Sequence, residues 1–261
     1  MTVPVNSISW RAYVAGVVRD GWSILRSPGP VLAGLWYSLR FGPEKKWSIG
    51  RLLEQQAERI PHRPAVRLDD LEWNYWQLNA RANQVAALLQ RQGIRQGDVV
   101  AVMMEAHPEL LACIAGAVKL GAIVGILNHN QRDAVLAHSN GLIKPKLIVT
   151  AAEFTAALAT TPFHPGQDDP AHHDQIRYFC LPAEDGVCPP GYRNLLTALA
   201  QQPDSNPDST ATIRMKQPCF YVFTSGTTGL PKASIMTHYR WLMGMCGVGL
   251  FATRLRGDDV L

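Results

Sequence analysis

The sequence predicts an α/β fold, a layered subdomain in which a parallel sheet is covered by helices. Two observations support this prediction. Short apolar runs recur at Asp98–Met104, Ala122–Leu127 and Leu147–Thr150, and segments of helical periodicity separate them. Strands that are apolar along their whole length are typical of a parallel sheet, because helices cover both of its faces. A chain of 261 residues, of which 47% are hydrophobic, is long enough to bury such a core.

Before the sheet, the pattern predicts two capped helices and a hairpin. Ser48 can cap the first helix, because its hydroxyl can accept a hydrogen bond from a free N–H of the first turn. Asn74 and Gln77 have the spacing of a capping box, in which each side chain accepts from the other residue's backbone N–H. The predicted elements are a helix over residues 48–60, strands Pro64–Leu68 and Leu71–Trp73, and a helix from Asn74 to Gly93.

Within the sheet region, Pro108 is expected to open a helix that is apolar nearly all round and therefore buried. Gly121 separates this helix from the next strand, as glycine commonly does at a helix end. The further predicted elements are a helix over Arg132–Asn140, a strand near Ile176–Leu181 and a strand over Cys219–Phe223.

Two polar stretches, Thr160–Gln175 and Gln201–Gln217, are rich in Pro, Asp and Ser and are predicted to be surface loops. The first holds residues of metal-ligand types, namely His164, Asp168, Asp169, His172, His173 and Asp174. Their spacing matches no known metal site, and a solvated loop explains them. No metal site is therefore predicted.

Residues 1–47 are predicted to form a basic, aromatic and amphipathic arm in front of the domain at residues 48–261. The arm holds six basic and two acidic residues, so it carries the whole net charge of +4. Its aromatic residues include Trp10, Tyr13, Trp22, Trp36, Tyr37 and Trp47. This mixture suits peripheral contact with an anionic membrane surface, and an arm packed on its own domain is the alternative. Nucleic acid is not expected as a partner, because the excess charge is not on the folded domain.

The cysteines indicate a reducing compartment. Cys113, Cys180, Cys188, Cys219 and Cys246 form no C-x-x-C pair and no disulfide framework.

The first ten residues lack the basic start and apolar run of a signal peptide. The longest uncharged run of the arm, Ser27–Leu39, has 13 residues, short of the roughly 18 that span a bilayer. A cytoplasmic protein is expected, with the arm as a peripheral contact on the inner face of the cell membrane.

The stretch from Tyr221 to Lys232, Tyr-Val-Phe-Thr-Ser-Gly-Thr-Thr-Gly-Leu-Pro-Lys, has the chemistry of a phosphate cradle. Gly226 and Gly229 allow the backbone to bend and bring N–H groups close to an anion. The neighbouring hydroxyls add donors, and Lys232 adds a positive charge. The lysine is too far from the second glycine for a Walker A loop, and the glycines do not form G-x-G-x-x-G. The remaining alternative from composition is a flexible Gly/Ser/Thr turn.

In order and spacing, this stretch resembles the phosphate-binding loop of the adenylate-forming, or AMP-binding, superfamily. That superfamily includes acyl-CoA synthetases, luciferases and the adenylation domains of peptide synthetases. The match runs without a gap over twelve residues, far more than a lone glycine pattern. Other segments that resemble the family are Trp73–Asn79, Gly97–Val102, His107–Glu109, Lys119–Ala122, Asn128–Asn130 and His138-Ser139.

Within the superfamily, the chain is most similar to long-chain and very-long-chain fatty acyl-CoA synthetases and fatty-acid transport proteins. Lys232-Ala233, Met236–His238 and Asn128–Gln131 carry this narrower resemblance. It implies a fatty acid, ATP with Mg²⁺, and coenzyme A as reactants. The fatty-acid carboxylate attacks the α-phosphate of ATP to give acyl-adenylate and pyrophosphate. The coenzyme A thiol then displaces AMP to give a thioester.

The resemblance also assigns residues to this chemistry. The residues implied to bind the ATP phosphates are Thr224, Ser225, Gly226, Thr227, Thr228, Gly229 and Lys232. They would stabilise the leaving pyrophosphate electrostatically. His238 could border an acyl pocket, but a helix-terminal or core histidine is the interpretation that we favour.

Family members are about twice as long as this chain. The chain is therefore expected to be the N-terminal portion of a longer enzyme, without the C-terminal domain. On that expectation it completes neither half-reaction alone. The alternative is a non-catalytic nucleotide-binding module associated with the membrane surface.

Overall fold

The computed structural model describes residues 29–166, 176–224 and 229–246, and it confirms the α/β prediction. The chain divides into two compact units. The first comprises Met1–Gly42 and Leu242–Asp259, and its described part contains helix α1 (Gly29–Arg40). The second comprises Pro43–Trp241 and Val260–Leu261 and contains every strand that the structure describes. No helix among the described residues is long and apolar enough to cross a membrane.

The elements after α1 mix helices and strands, and they alternate strictly from α3 to β6. The helices are α2 (Ile49–Arg59), α3 (Tyr75–Arg91), α4 (Pro108–Lys119), α5 (Asp133–Ile143), α6 (Thr155–Ala159), α7 (Leu195–Ala200) and α8 (His238–Gly244). The strands are β1 (Pro64–Leu68), β2 (Leu71–Asn74), β3 (Val99–Met103), β4 (Ile123–Ile126), β5 (Leu147–Ala151), β6 (Arg177–Leu181), β7 (Arg193–Asn194), β8 (Pro218–Thr224) and β9 (Lys232–Thr237). Two 3₁₀ turns, Ala152–Phe154 and Asp208–Thr212, complete the described structure.

Seven of these strands form one sheet in the order β7-β6-β5-β3-β4-β8-β9. Every neighbouring pair is parallel except β8 and β9, which are antiparallel. The chain leaves β3 toward β4 on one side and returns to β5 on the other. The connections after β3 and β5 therefore diverge at the carboxyl edge, the edge at which open α/β sheets bind ligands. Strands β1 and β2 form a separate antiparallel hairpin.

The buried central strands explain why the sequence predicted this sheet. All five residues of β3 and all five of β5 are buried, and both strands consist almost wholly of apolar residues. Such strands find no solvated face, so they require helices on both sides of the sheet. The largest cluster of buried side chains runs from α3 and α4 through these strands to β6 and α7.

The predicted helix caps are confirmed. The Ser48 hydroxyl accepts a hydrogen bond from Arg51 N–H at 3.1 Å. Asn74 and Gln77 form the reciprocal capping box, with distances of 2.8 and 2.9 Å. Helix α4 has a cap that the sequence analysis missed, because His107 Nδ1 accepts from Glu109 N–H at 3.1 Å. Pro108 then occupies a first-turn position, where its missing N–H costs nothing.

Several details differ from the sequence prediction, which also lacked strand β7 and helix α7. Helix α5 extends to Ile143 and ends at Lys144, which adopts φ 48°. Helix α4 is largely buried, as predicted, but Leu111 of its predicted apolar surface remains 43% exposed. Strand β9 was not predicted at all, because its side chains do not alternate cleanly between apolar and polar. Its pairing with β8 forms it nonetheless.

Helices α3 and α4 pack closely because Gly116 has no side chain. A methyl group at Gly116 would lie 2.6 Å from the Ala82 carbonyl oxygen and from Val85. One turn later, the Lys119 ammonium group donates to side-chain oxygens of Asn79, Asn83 and Asn206.

Lys119 also pairs with Glu54 at 3.3 Å. Burial lowers the pKa of Lys119 to about 8, and the Glu54 carboxylate opposes that change. The ammonium group of Lys119 therefore joins four parts of the chain, namely helices α2, α3 and α4 and the loop before the second 3₁₀ turn.

Candidate functional site: the hairpin after β8

The candidate phosphate site is the connection between β8 and β9. Thr224 is paired with Lys232, so residues 225–231 form the whole connection. Strand β8 runs parallel to β4, with Phe220 beside Val124. The carboxyl end of β8, and with it this hairpin, therefore lies at the carboxyl edge of the parallel sheet.

Three of the seven predicted phosphate-binding residues are among those that the structure describes. Thr224 is the last residue of β8, Lys232 is the first residue of β9, and both side chains are exposed. Gly229 has φ +86°, and no atom lies within 4 Å of the position that its side chain would take. Backbone conformation rather than space therefore favours glycine there. Ser225, Gly226, Thr227 and Thr228 lie outside the described residues.

The structure adds a contact that the sequence analysis did not assign. His138 on α5 has its Nε2 atom 3.1 Å from the Pro231 carbonyl oxygen, immediately before Lys232. A cavity of about 600 Å³ lies beside this contact. Its lining includes His138, Tyr221, Lys232, Leu142, Leu230 and Ile235. The signal in the sequence was weak, since His138 and Pro231 are 93 residues apart.

His238 lies at the start of α8, as predicted, and is fully buried. Its Nδ1 atom accepts a hydrogen bond from Ile49 N–H at 3.2 Å, at the first residue of α2. Burial lowers its pKa to about 4, so the ring is neutral at physiological pH. This geometry supports the helix-terminal and core interpretation, and contact with an acyl chain stays a prediction.

Among residues 29–166, 176–224 and 229–246, no three His, Cys, Asp or Glu side chains come together in a metal-binding arrangement. Of the metal-ligand types in the first polar loop, His164 is described, and its Nδ1 lies 3.0 Å from the Pro165 carbonyl oxygen. Asp168, Asp169, His172, His173 and Asp174 lie outside the described residues.

The fold and the hairpin together define an α/β domain with a loop rich in glycine and hydroxyl side chains after β8, at the carboxyl edge of its sheet. The sequence profile of the AMP-binding enzyme family matches residues 53–261, which is most of the chain. The chain belongs to that family of adenylate-forming enzymes.

Two curated relatives are fatty-acid proteins. The chain is 35% identical over 238 residues to the medium/long-chain-fatty-acid–CoA ligase FadD6 of Mycobacterium tuberculosis, covering 91% of this chain and 37% of that protein. It is 33% identical over 219 residues to human long-chain fatty acid transport protein 1, covering 82% of this chain and 32% of that protein. The chain thus spans about a third of the length of these relatives.

Solved structures agree at the level of the fold. A Mycobacterium tuberculosis fatty acyl CoA synthetase superposes with a TM-score of 0.61 at 25% identity, covering 73% of this chain and 34% of that chain. The anthranilate CoA ligase AuaEII, solved with anthranoyl-AMP, gives a TM-score of 0.66 at 21% identity over 80% of this chain and 38% of that chain. The observed sheet is therefore that of the N-terminal domains of acyl-CoA synthetase-like enzymes.

Proposed function

We propose that this protein is a long-chain fatty acid–CoA ligase, which activates its acid with ATP and then transfers the acyl group to coenzyme A. The observation that carries the proposal is the hairpin of Tyr221–Lys232, a gapless match to the family's phosphate loop, at the ligand-binding edge of the sheet. The fatty-acid relatives support the choice of acid over an aromatic or amino acid substrate.

In the proposed reaction, a carboxylate oxygen attacks the α-phosphorus of ATP, and the bond to the bridging oxygen of pyrophosphate breaks. The sulfur of coenzyme A then attacks the acyl carbonyl carbon, and AMP leaves. The hydroxyl and N–H donors of Thr224–Gly229 and the ammonium group of Lys232 would hold the β- and γ-phosphates. Donors fixed in advance stabilise the charge that develops on the leaving pyrophosphate. Mg²⁺ would enter with ATP as its counter-ion.

The test is fatty-acid-dependent exchange of labelled pyrophosphate into ATP by the protein at its natural length, purified from its source cells. Exchange that requires a long-chain acid, followed by acyl-CoA formation when coenzyme A is added, is the expected result. A series of acids from six to twenty carbons would establish chain length. ATP binding without exchange with any acid would replace the proposal with a non-catalytic nucleotide-binding module.

We also propose that residues 1–47 contact an anionic membrane surface, on the cytoplasmic face. The supporting observation is an exposed apolar stripe on α1, where Leu32, Leu35, Trp36 and Leu39 share one face and remain 49–80% exposed. Arg40 follows them and lies over the Trp36 ring at 5.2 Å. Apolar and aromatic side chains beside basic groups favour the interface of a charged bilayer.

Vesicle sedimentation tests this contact without removing the arm. The double variant Leu32→Ser/Leu39→Ser should sediment less with vesicles that contain anionic lipid. Leu71→Ser is the matched control, because Leu71 is an exposed leucine on β2, outside the arm. Equal sedimentation of all three proteins would reject the membrane contact.

A further inference from the structure

Three interactions restrain the backbone at Pro231 and Lys232, where the phosphate hairpin joins β9. The contact with His138 is one of them, and it has no assigned role. The backbone of Lys232 is fixed by its pairing with Thr224 in β8. Pro231 precedes Lys232, and its ring restricts its own φ angle to one narrow range. The third constraint comes from His138 on α5, through the Pro231 carbonyl oxygen.

The chemistry of this contact fixes the direction of the hydrogen bond. A carbonyl oxygen can only accept, so His138 Nε2 must carry the proton and donate it. The donor atom lies 3.1 Å from the oxygen, which is an ordinary length for such a bond. Both residues are half-buried, which limits competition from water.

Helix α5 is suited to hold the hairpin because it is anchored elsewhere. Leu136 and Ile143 on the same helix are buried in the core beneath the sheet. Leu142, one turn after His138, lines the cavity beside the hairpin with Leu230. The position of the Pro231 carbonyl is thus tied to the core through α5 and not only through β8 and β9.

We infer that His138 is a positioning residue for the phosphate hairpin: its Nε2–H holds the Pro231 carbonyl and thereby fixes the direction from which Lys232 meets the β- and γ-phosphates of ATP. This inference rests on the proposed function. His138 itself touches neither phosphate nor acid. It acts by reducing the set of backbone conformations that Lys232 samples before ATP binds, which lowers the cost of ordering the site.

The test compares ATP with AMP, because AMP lacks the two phosphates concerned. His138→Leu removes the donor, and we expect the Kd of Mg-ATP, measured by titration calorimetry, to rise about two- to tenfold, the usual effect of one lost hydrogen bond. The Kd of AMP should not change. His138→Gln offers an amide N–H at a similar reach and should restore the ATP affinity.

A matched control is His164→Leu, since His164 also contacts a proline carbonyl, that of Pro165, but away from the hairpin. It should bind both nucleotides like the wild type. The inference is overturned if His138→Leu leaves the Kd of ATP unchanged, if it weakens ATP and AMP equally, or if His138→Gln fails to restore binding.

The Lys232→Ala variant, titrated in parallel, separates this inference from the proposed function. If Lys232→Ala binds ATP like the wild type, the assignment of the hairpin to phosphate is wrong. If Lys232→Ala binds ATP weakly while His138→Leu does not, the hairpin assignment stands and the positioning role of His138 is rejected.

Discussion

Three of the described histidines use one ring nitrogen to hold the backbone at a helix start or at the hairpin exit. His107 and His238 accept N–H groups at the starts of α4 and α2, and His138 donates to the exit of the hairpin. A ring that accepts through Nδ1 must keep that nitrogen unprotonated. Burial lowers the pKa of both His107 and His238, which keeps the accepting form populated. The partners of His138 and His238 lie 93 and 189 positions away, too far along the chain to be predicted from the sequence. The partner of His107 is only two residues away, so that cap was a local signal that went unread.

The pH dependence of stability should report on His238. Its pKa is about 4 in the folded chain against 6.5 ordinarily, so the unfolded chain binds the proton more readily. Its stabilising contribution is therefore complete above pH 6.5 and is lost as the pH falls toward 4. We expect a loss of about 2 kcal/mol between pH 6.5 and pH 5, measured by urea unfolding.

His238→Asn separates this effect from other titrating groups. The asparagine oxygen can accept from Ile49 N–H but does not titrate in this range, so the variant should lose less stability over the same pH interval. Identical pH profiles for the two proteins would mean that His238 is not the titrating group.

Lys232→Ala should lower the proposed activity without lowering the free energy of unfolding. Lys232 is exposed at the hairpin exit, so its removal leaves no buried group without a partner. Loss of one charged hydrogen bond to phosphate predicts a fall of about 10- to 100-fold in kcat/KM for ATP in pyrophosphate exchange. Lys216→Ala is the control, because that lysine is also exposed but pairs with Glu44. Unchanged exchange by Lys232→Ala would remove Lys232 from its proposed role.

At the scale of helices and strands, the sequence predicted those elements whose determinants are local. The caps of α2 and α3 are set by residues three positions apart, so they could be read directly. Strand β9 could not, because its pairing with β8 rather than its own pattern makes it a strand. The hairpin itself was recognised from its order of residues, although its position at the carboxyl edge follows from the parallel pairing of β8 with β4.

Two helix glycines offer a matched test of the contact between α3 and α4. Gly116→Ala should destabilise the chain by about 1–3 kcal/mol, because the added methyl group would lie 2.6 Å from a backbone oxygen that cannot rotate away. Gly141→Ala on α5 meets no atom within 4 Å and should be neutral or stabilise by about 0.5–1 kcal/mol. Chemical denaturation of both variants gives the comparison. Equal effects would show that the close approach of α3 and α4 does not limit stability.

At the scale of the whole molecule, the buried Lys119 ties separate parts of the chain together. Its partners are Glu54 on α2, Asn79 and Asn83 on α3, and Asn206 in a loop. Its own carbonyl accepts from Ser209 and Thr210. The sequence placed Lys119 at a helix end, where an exposed lysine is the usual expectation. Lys119 is buried because segments that are distant in the sequence pack around its side chain.

Removal of this lysine should be costly. Lys119→Ala removes the donor shared by Glu54 and three amide oxygens, although Glu54 keeps its pair with Arg51 at 2.9 Å. We therefore expect a loss of about 1–3 kcal/mol in the free energy of unfolding. The exposed pair of Lys216 and Glu44 provides the contrast, since Lys216→Ala should leave the free energy of unfolding nearly unchanged. A loss below 1 kcal/mol for Lys119→Ala would mean that water replaces the lysine.

The pairing of β8 with β4 has a consequence for synthesis on the ribosome. Val124 and Phe220 lie side by side in the sheet but are 96 positions apart, the difference between their numbers. At a translation rate of about 5–20 residues per second, β8 is synthesised on the order of 5–20 s after β4. Strands β5 and β6 can meanwhile add to the other side of β3. During that interval the outer edge of β4 is an open template, so the nascent chain should depend most on chaperones before residue 220 emerges.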